Sequence, residues 1–471
     1  MSSRYDVVIV GSGPVGTAIA RELSDLDPAL RLVVLEAGPV LGPVPGGHVK
    51  NIADPAARAA VVAPVTGTDR PAGSTPARPG TALVGTAAMP NAATSTNVGG
   101  MGAHWTCACP RPGDDEMPDF VDLDEALDRA EELMSVTTAA FERAPLIGTV
   151  QKLLGERFDR PGRRAVGSMP VAVATAADGS LHWTGPAVIA GDLWSRPNVT
   201  LLPSTLARRI LHADGTATGV EIVAGGERSV IGARAVVVAG DALRTPQLLW
   251  ASGIRPAALG RYLNDQPQVM AAALLSPADV PDISASELVP VSGVSWVPYA
   301  QDRPFHGQVM QLDASPVPLN PGVTVRPGQV VGLGWFCKKE ISADDRVWFD
   351  DAEPDGNGMP AIRIDYRLTE TDHAAIAAAK AEIAEAAAAL GTPLGEPFVM
   401  PAGSSLHYQG TTRSGPVDDG TSVCDPAGRV WRTTNVYVGG NNVIPSATAC
   451  NPTLTAVAFG VLTARALRAA L

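Results

Sequence analysis

Residues 11–16 read Gly11-Ser12-Gly13-Pro14-Val15-Gly16, and each of the three glycines answers a different steric demand. Gly11 permits a tight turn, Gly13 lets the backbone approach a pyrophosphate, and Gly16 lets a helix pack closely on a strand. The N-terminus of that helix offers unpaired N–H groups and the positive end of its dipole to phosphate. Glu36 stands twenty residues beyond the third glycine, where a carboxylate accepts from ribose hydroxyls. The chemistry is the cradling of a dinucleotide. NAD and FAD share the adenosine half, so the pattern alone leaves both open.

The flanking residues supply the elements such a loop needs. Residues 5–10 are a β-branched run suited to a buried parallel strand, residues 17–26 are helical, and Leu32–Leu35 forms a second buried strand. Together they predict a βαβ unit. From Pro39 to about Asn97 the composition turns to Pro, Gly, Ala and Thr without periodicity, which predicts a long ordered loop, a lid or contact arm. Helical spacing covers residues 122–141, strand-like alternation covers 199–223, and 233–240 reads as another buried strand. Short strand-like segments at 330–335, 346–349 and 362–368 suggest an antiparallel sheet within residues 269–368. Thr369, with Asp372 three residues on, marks a helix start, and Gly391 marks its end. The tail from Asn435 reads as a strand, a glycine turn and a final helix.

Composition bounds the partners. The 471 residues, 45% hydrophobic, suffice for at least two domains, and the formal charge of −12 with no basic run disfavours nucleic acid and anionic membrane. No uninterrupted apolar stretch is expected to span a bilayer, and the early first strand leaves no room for a leader, so a cytoplasmic location is expected. Five cysteines, Cys107, Cys109, Cys337, Cys424 and Cys450, do not make a disulfide framework. The Cys107/Cys109 spacing lacks a second pair for a tetrahedral metal, so buried thiols and no metal are expected.

Three further blocks resemble the glucose–methanol–choline family of flavin oxidoreductases, and within it the pyranose-oxidase branch. Residues 97–110 (NVGGMGAHWTCACP) are similar to the segment that runs along the isoalloxazine ring. Residues 240–249 (GDALRTPQLL), with Ser252-Gly253-Ile254 and then Leu259 to Pro267 (LGRYLNDQP), resemble the second family signature. Residues 406–415, 422–425, 435–445 and 451–455 resemble the C-terminal block. The resemblance implies FAD as cofactor, held by Gly11, Gly13, Gly16, Glu36, Gly100, Met101, His104, Trp105, Thr106, Asn442, Asn451 and Thr453. It implies that His407 and Asn451 are the catalytic pair. It further implies an α/β chain in which a Rossmann-like FAD-binding domain (1–268, with a loop insert at 39–96) is joined to an α+β substrate domain. That second domain (269–394) is built on an antiparallel sheet, and residues 395–471 complete the first as a catalytic segment.

In that branch the histidine matching His104 can carry a covalent bond to the flavin, and the threonine matching Thr106 lies near the reactive N5. Here Gly102-Ala103 replaces a more polar pair, and bacterial members include proteins that hold FAD without a bond, so both modes stay open. Ser414 stands where many relatives have methionine. The expected reaction is oxidation of a secondary ring hydroxyl of a pyranose or glycoside, at C3 and including C-glycosides, with O2 or a quinone as acceptor and a monomeric enzyme. His407 would take the hydroxyl proton, and Asn451 would donate to the same oxygen. A pyranose 2-oxidase acting on glucose is the near alternative; a nicotinamide dehydrogenase or a non-redox flavin lyase would be of a different class.

Overall fold

A computed structural model describes residues 4–62, 81–176, 179–280, 283, 291–312 and 325–471. Among these residues, two seven-stranded sheets carry the fold. The first has a parallel centre in the order Val436–Val438, Glu227–Val238, Arg4–Val10, Leu32–Leu35 and Val199–Leu202. Its residues read as apolar runs because both faces are covered: Val7, Val8, Ile9, Val33 and Val34 are fully buried. The early half of Glu227–Val238 leaves this centre and pairs antiparallel with Thr216–Ala224, which pairs in turn with Thr205–Ala213.

The turn after Arg4–Val10 leads into the helix Pro14–Leu26, with proline in its first turn. The C-terminal helix Thr453–Ala470 packs against this helix and against Asp124–Met134. By length and composition Thr453–Ala470 is apolar enough to cross a membrane, contrary to the expectation from sequence. In the fold it is a core helix, with Leu454, Val457, Phe459 and Val461 buried among the parallel strands.

The second sheet is antiparallel, in the order Gly391–Pro393, Gln268–Leu275, Val330–Cys337, Phe305–Leu312, Val291–Val297 and Gly167–Ser168. Alternation along its strands separates two environments. Val269, Val309, Leu333 and Trp335 face the helix Glu370–Leu390 in an apolar cluster. Gln268, Met270, Gln308, Met310, Gly334 and Phe336 face a cavity on the other side. The helix Glu370–Leu390 begins with the capping box formed by Thr369 and Asp372 and stops at Gly391, as the sequence indicates.

Three further expectations differ. Residues 39–97 are not one structureless loop: they hold a turn at Val49–Asn51, the helix Pro55–Val62 and the hairpin Thr81–Leu83/Ala93–Ser95. Residues 63–80 of that stretch lie outside the described residues. Arg346–Pro354 and Pro360–Asp365 do not join the second sheet but form their own hairpin, packed on the helix Asp241–Ala251. Alternation identifies a strand, not its partner. The helical spacing of 122–141 is realised only in Asp124–Met134, because Ser135 turns left-handed (φ 54°) and closes the helix.

Candidate active site

A cavity of about 470 Å³ runs from the glycine loop, at the carboxyl ends of the parallel strands, to the polar face of the second sheet. At the first end, the three glycines are separable by what a side chain would meet. At Gly11 (φ 104°) a Cβ would lie 2.3 Å from the Ala239 carbonyl oxygen, and at Gly16 one would lie 2.0 Å from the Gly11 oxygen. Those two are held bare by the protein itself. At Gly13 a Cβ would meet nothing within 4 Å, and the residue lines the cavity. Its bareness leaves room for a ligand rather than for the fold, which is the cradle a pyrophosphate requires.

Glu36 lines the same end. One carboxylate oxygen accepts from the Ser12 hydroxyl at 2.7 Å and the Ser12 amide at 3.2 Å; the other accepts from the Gly38 amide at 3.0 Å. Burial raises its carboxyl above the usual range against these hydrogen bonds. Two carboxylate oxygens offer about four acceptor positions, so Glu36 orders the loop and retains capacity for a ribose.

The middle of the cavity is walled by Gly100, Met101, His104, Trp105 and Thr106. Gly99 and Gly100 adopt positive φ (98° and 52°) and open the short turn Gly100–Ala103 that presents His104. Trp105 is anchored by its indole N–H to the Thr184 carbonyl at 2.7 Å and by its own carbonyl to His48 Nε2 at 3.0 Å. His48 Nδ1 accepts from the Lys50 amide, so Nε2 carries the proton, and burial lowers its pKa to about 4.

At the far end His407 and Asn451 meet, their Nε2 and Nδ2 atoms 3.4 Å apart. His407 follows Leu406, which is left-handed (φ 60°), a strained conformation for a leucine. Asp265 holds this bend: its carboxylate accepts from the Gly403 amide at 3.1 Å and from Ser405, whose hydroxyl accepts from the His407 amide at 3.1 Å. Burial raises Asp265 to about 6 and, as the only resolved cause, lowers His407 to about 4. The imidazole is therefore neutral at physiological pH. Its ring lies 5.2 Å from Phe336, which stacks on the buried His306.

Of the residues singled out from sequence, Gly11, Gly13, Glu36, Gly100, Met101, His104, Trp105, Thr106, His407, Asn451 and Thr453 line one cavity. Gly16 sits behind it in the helix. Asn442 is not on its walls: its amide donates to the Thr412 hydroxyl at 2.6 Å, and Asn441 takes the wall position. Sequence reading missed Gln266, whose side-chain oxygen lies 2.6 Å from His407 Nδ1, and Gln308, whose amide nitrogen finds no partner among the described residues. Nothing in the pattern singles out one glutamine; only the pairing of 264–266 with 407–409 does so. All five cysteines are free and buried.

Comparison with known proteins identifies the family. Residues 121–268 and 346–460 match the N- and C-terminal models of the GMC oxidoreductases. The chain is 50% identical to a C-glycoside 3-oxidase from Arthrobacter globiformis, over 98% of this chain and 95% of that protein. It is 29% identical to a pyranose 2-oxidase from Tricholoma matsutake, over 98% and 93%. The crystal structure of pyridoxine 4-oxidase from Mesorbium loti superposes with a TM-score of 0.70 at 19% identity, over 98% and 99%, and is similar in fold.

Proposed function

Because the chain belongs to the GMC oxidoreductase family, we propose that this oxidoreductase converts the C3 hydroxyl of a glycoside, C-glycosides included, to a ketone with FAD as cofactor. The observation that carries the chemistry is the convergence of His407 Nε2 and Asn451 Nδ2 at the cavity end remote from Glu36. C3 is favoured over C2 because identity to the C-glycoside 3-oxidase far exceeds identity to the pyranose 2-oxidase.

Alcohol oxidation removes a proton from oxygen and a hydride from carbon. FAD, when bound, supplies the hydride acceptor. The residues present fit it: Gly13 is bare on the cavity side and would admit a pyrophosphate, Glu36 at the same end would accept from a ribose, and the cavity is continuous to His407. His407, neutral, takes the hydroxyl proton on Nε2. Asn451 donates its amide hydrogen to the same oxygen, stabilising developing negative charge without competing for the proton. Gln308 offers an unused donor to a sugar hydroxyl, while Met310 and Phe336 supply apolar surface to the ring. O2 or a quinone would be the final electron acceptor.

Anaerobic mixing of FAD-loaded enzyme with a panel of free sugars and O- and C-glycosides tests this, with NMR of the product. Glycosides are expected to bleach the flavin absorbance and yield a 3-keto product. A 2-keto product from free glucose would transfer the reading to the 2-oxidases. His407→Ala is expected to slow bleaching by about 10² to 10⁴-fold with FAD still bound; near-full rates would remove His407 from its role.

A further inference from the structure

We propose that Gln266 is a positioning residue that fixes which ring nitrogen of His407 carries the proton, and so which one faces substrate as a base. The proposal rests on the assignment of His407 as the base and concerns how that role is set up.

The geometry resolves the amide orientation. One end of the Gln266 side chain lies 2.9 Å from the Thr448 carbonyl oxygen and 2.7 Å from the Cys450 carbonyl oxygen, with the Thr448 hydroxyl at 3.2 Å. Carbonyl oxygens only accept, so that end is the NH2 group. The opposite end is then the amide oxygen, 2.6 Å from His407 Nδ1. An oxygen that only accepts requires a proton on Nδ1. In a neutral imidazole this leaves the lone pair on Nε2, the nitrogen beside Asn451.

Gln266 cannot exchange the two ends, because the flipped amide would set its oxygen against two carbonyls. It is fully enclosed, 1% exposed, and its backbone is registered against the segment that carries the histidine: Asn264 and Gln409 exchange both main-chain hydrogen bonds at 2.9 Å. The carbonyls that orient it belong to the turn leading into Asn451. The same side chain therefore ties the asparagine turn to the histidine and sets the register between the two.

The test reads the proton first. In FAD-loaded enzyme labelled with ¹⁵N-histidine, with His407→Ala used to assign the resonances, His407 is expected as the Nδ1–H tautomer near neutral pH. An Nε2–H tautomer overturns the proposal. Gln266→Met keeps length without an acceptor. It is expected to give mixed tautomers and to lower the flavin reduction rate by about a hundredfold, while KM and FAD content stay within about twofold. A reduction rate within twofold of wild type also overturns it. Should His407→Ala keep its rate while the Nδ1–H form is observed, the base assignment fails and not the tautomer reading.

Discussion

The Ser12 hydroxyl accepts the Gly99 amide at 3.0 Å while donating to Glu36 at 2.7 Å, so the glycine loop and the segment presenting His104 are built as one piece. Ser12→Ala removes both bonds and leaves Glu36 short of a donor. A buried hydrogen bond to a charged group is worth about 1.5–3 kcal/mol. FAD affinity, followed by fluorescence of released flavin, is expected to fall by about tenfold or more. Wild-type affinity in this variant would show that the two segments are not coupled through Ser12.

The glycines should part company under substitution. Gly16→Ala and Gly11→Ala place a methyl against main-chain oxygen at 2.0 and 2.3 Å, and loss of folded protein is expected. Gly13→Ala meets open space, so the variant is expected to fold with near-normal melting in the absence of FAD but to bind FAD weakly. Tight FAD binding by Gly13→Ala would contradict the pyrophosphate assignment.

His407, lowered to about 4 by burial, works as a base only when deprotonated. The rate of flavin reduction is therefore expected to stay level from neutral pH downward and to fall only as pH approaches 4. Asp265, which holds the His407 bend through Ser405, and Asp241 on the cavity wall are both raised to about 6 by burial and are both able to shape the profile. A limb near 6 that disappears in Asp265→Asn belongs to that strap. One that persists in both Asp265→Asn and Asp241→Asn contradicts the assignment to His407.

Three buried imidazoles also bear on stability. His48, His306 and His407 are lowered from 6.5 to about 4, about 3 and about 4. A lowered histidine leaves the unfolded chain binding more protons, so its contribution is complete above 6.5 and is lost as pH falls toward the folded value. Asp241 and Asp265, raised from 3.8 to about 6, and Glu36 and Glu116, also raised by burial, act in the opposite sense, while Asp6, Asp115 and Asp355, lowered from 3.8, lose stability with the histidines as pH falls. The melting temperature is expected to decline from pH 6.5 to 4. In His306→Gln the decline should be shallower, and an unchanged slope would exclude His306 as a contributor.

The βαβ unit was readable because its signals are local: a β-branched strand, a glycine loop and a carboxylate at fixed spacing. The helix Glu370–Leu390 was readable for the same reason, from Thr369, Asp372 and Gly391. The separate hairpin of Arg346–Pro354 and Pro360–Asp365 was not, since period-two alternation is the same whichever strand lies alongside. At the site, His407 and Asn451 were found through motif resemblance. Gln266 and Gln308 were not, because no local pattern marks them and only chain pairing brings them to the cavity region, and the cavity wall carries Asn441 rather than Asn442. Position on a wall is decided within a single turn of backbone.

The strand Val436–Val438 lies against the centre of the parallel sheet, and the helix Thr453–Ala470 lies against the first helix of the chain. Both pieces come from the far side of the sequence relative to the glycine loop they complete. Without them, Glu227–Val238 has an unpaired edge and His407 has no Asn451 beside it. The pairing of His407 with Asn451 therefore exists only once the segment carrying Asn451 and the helix Thr453–Ala470 has docked on the first helix of the chain.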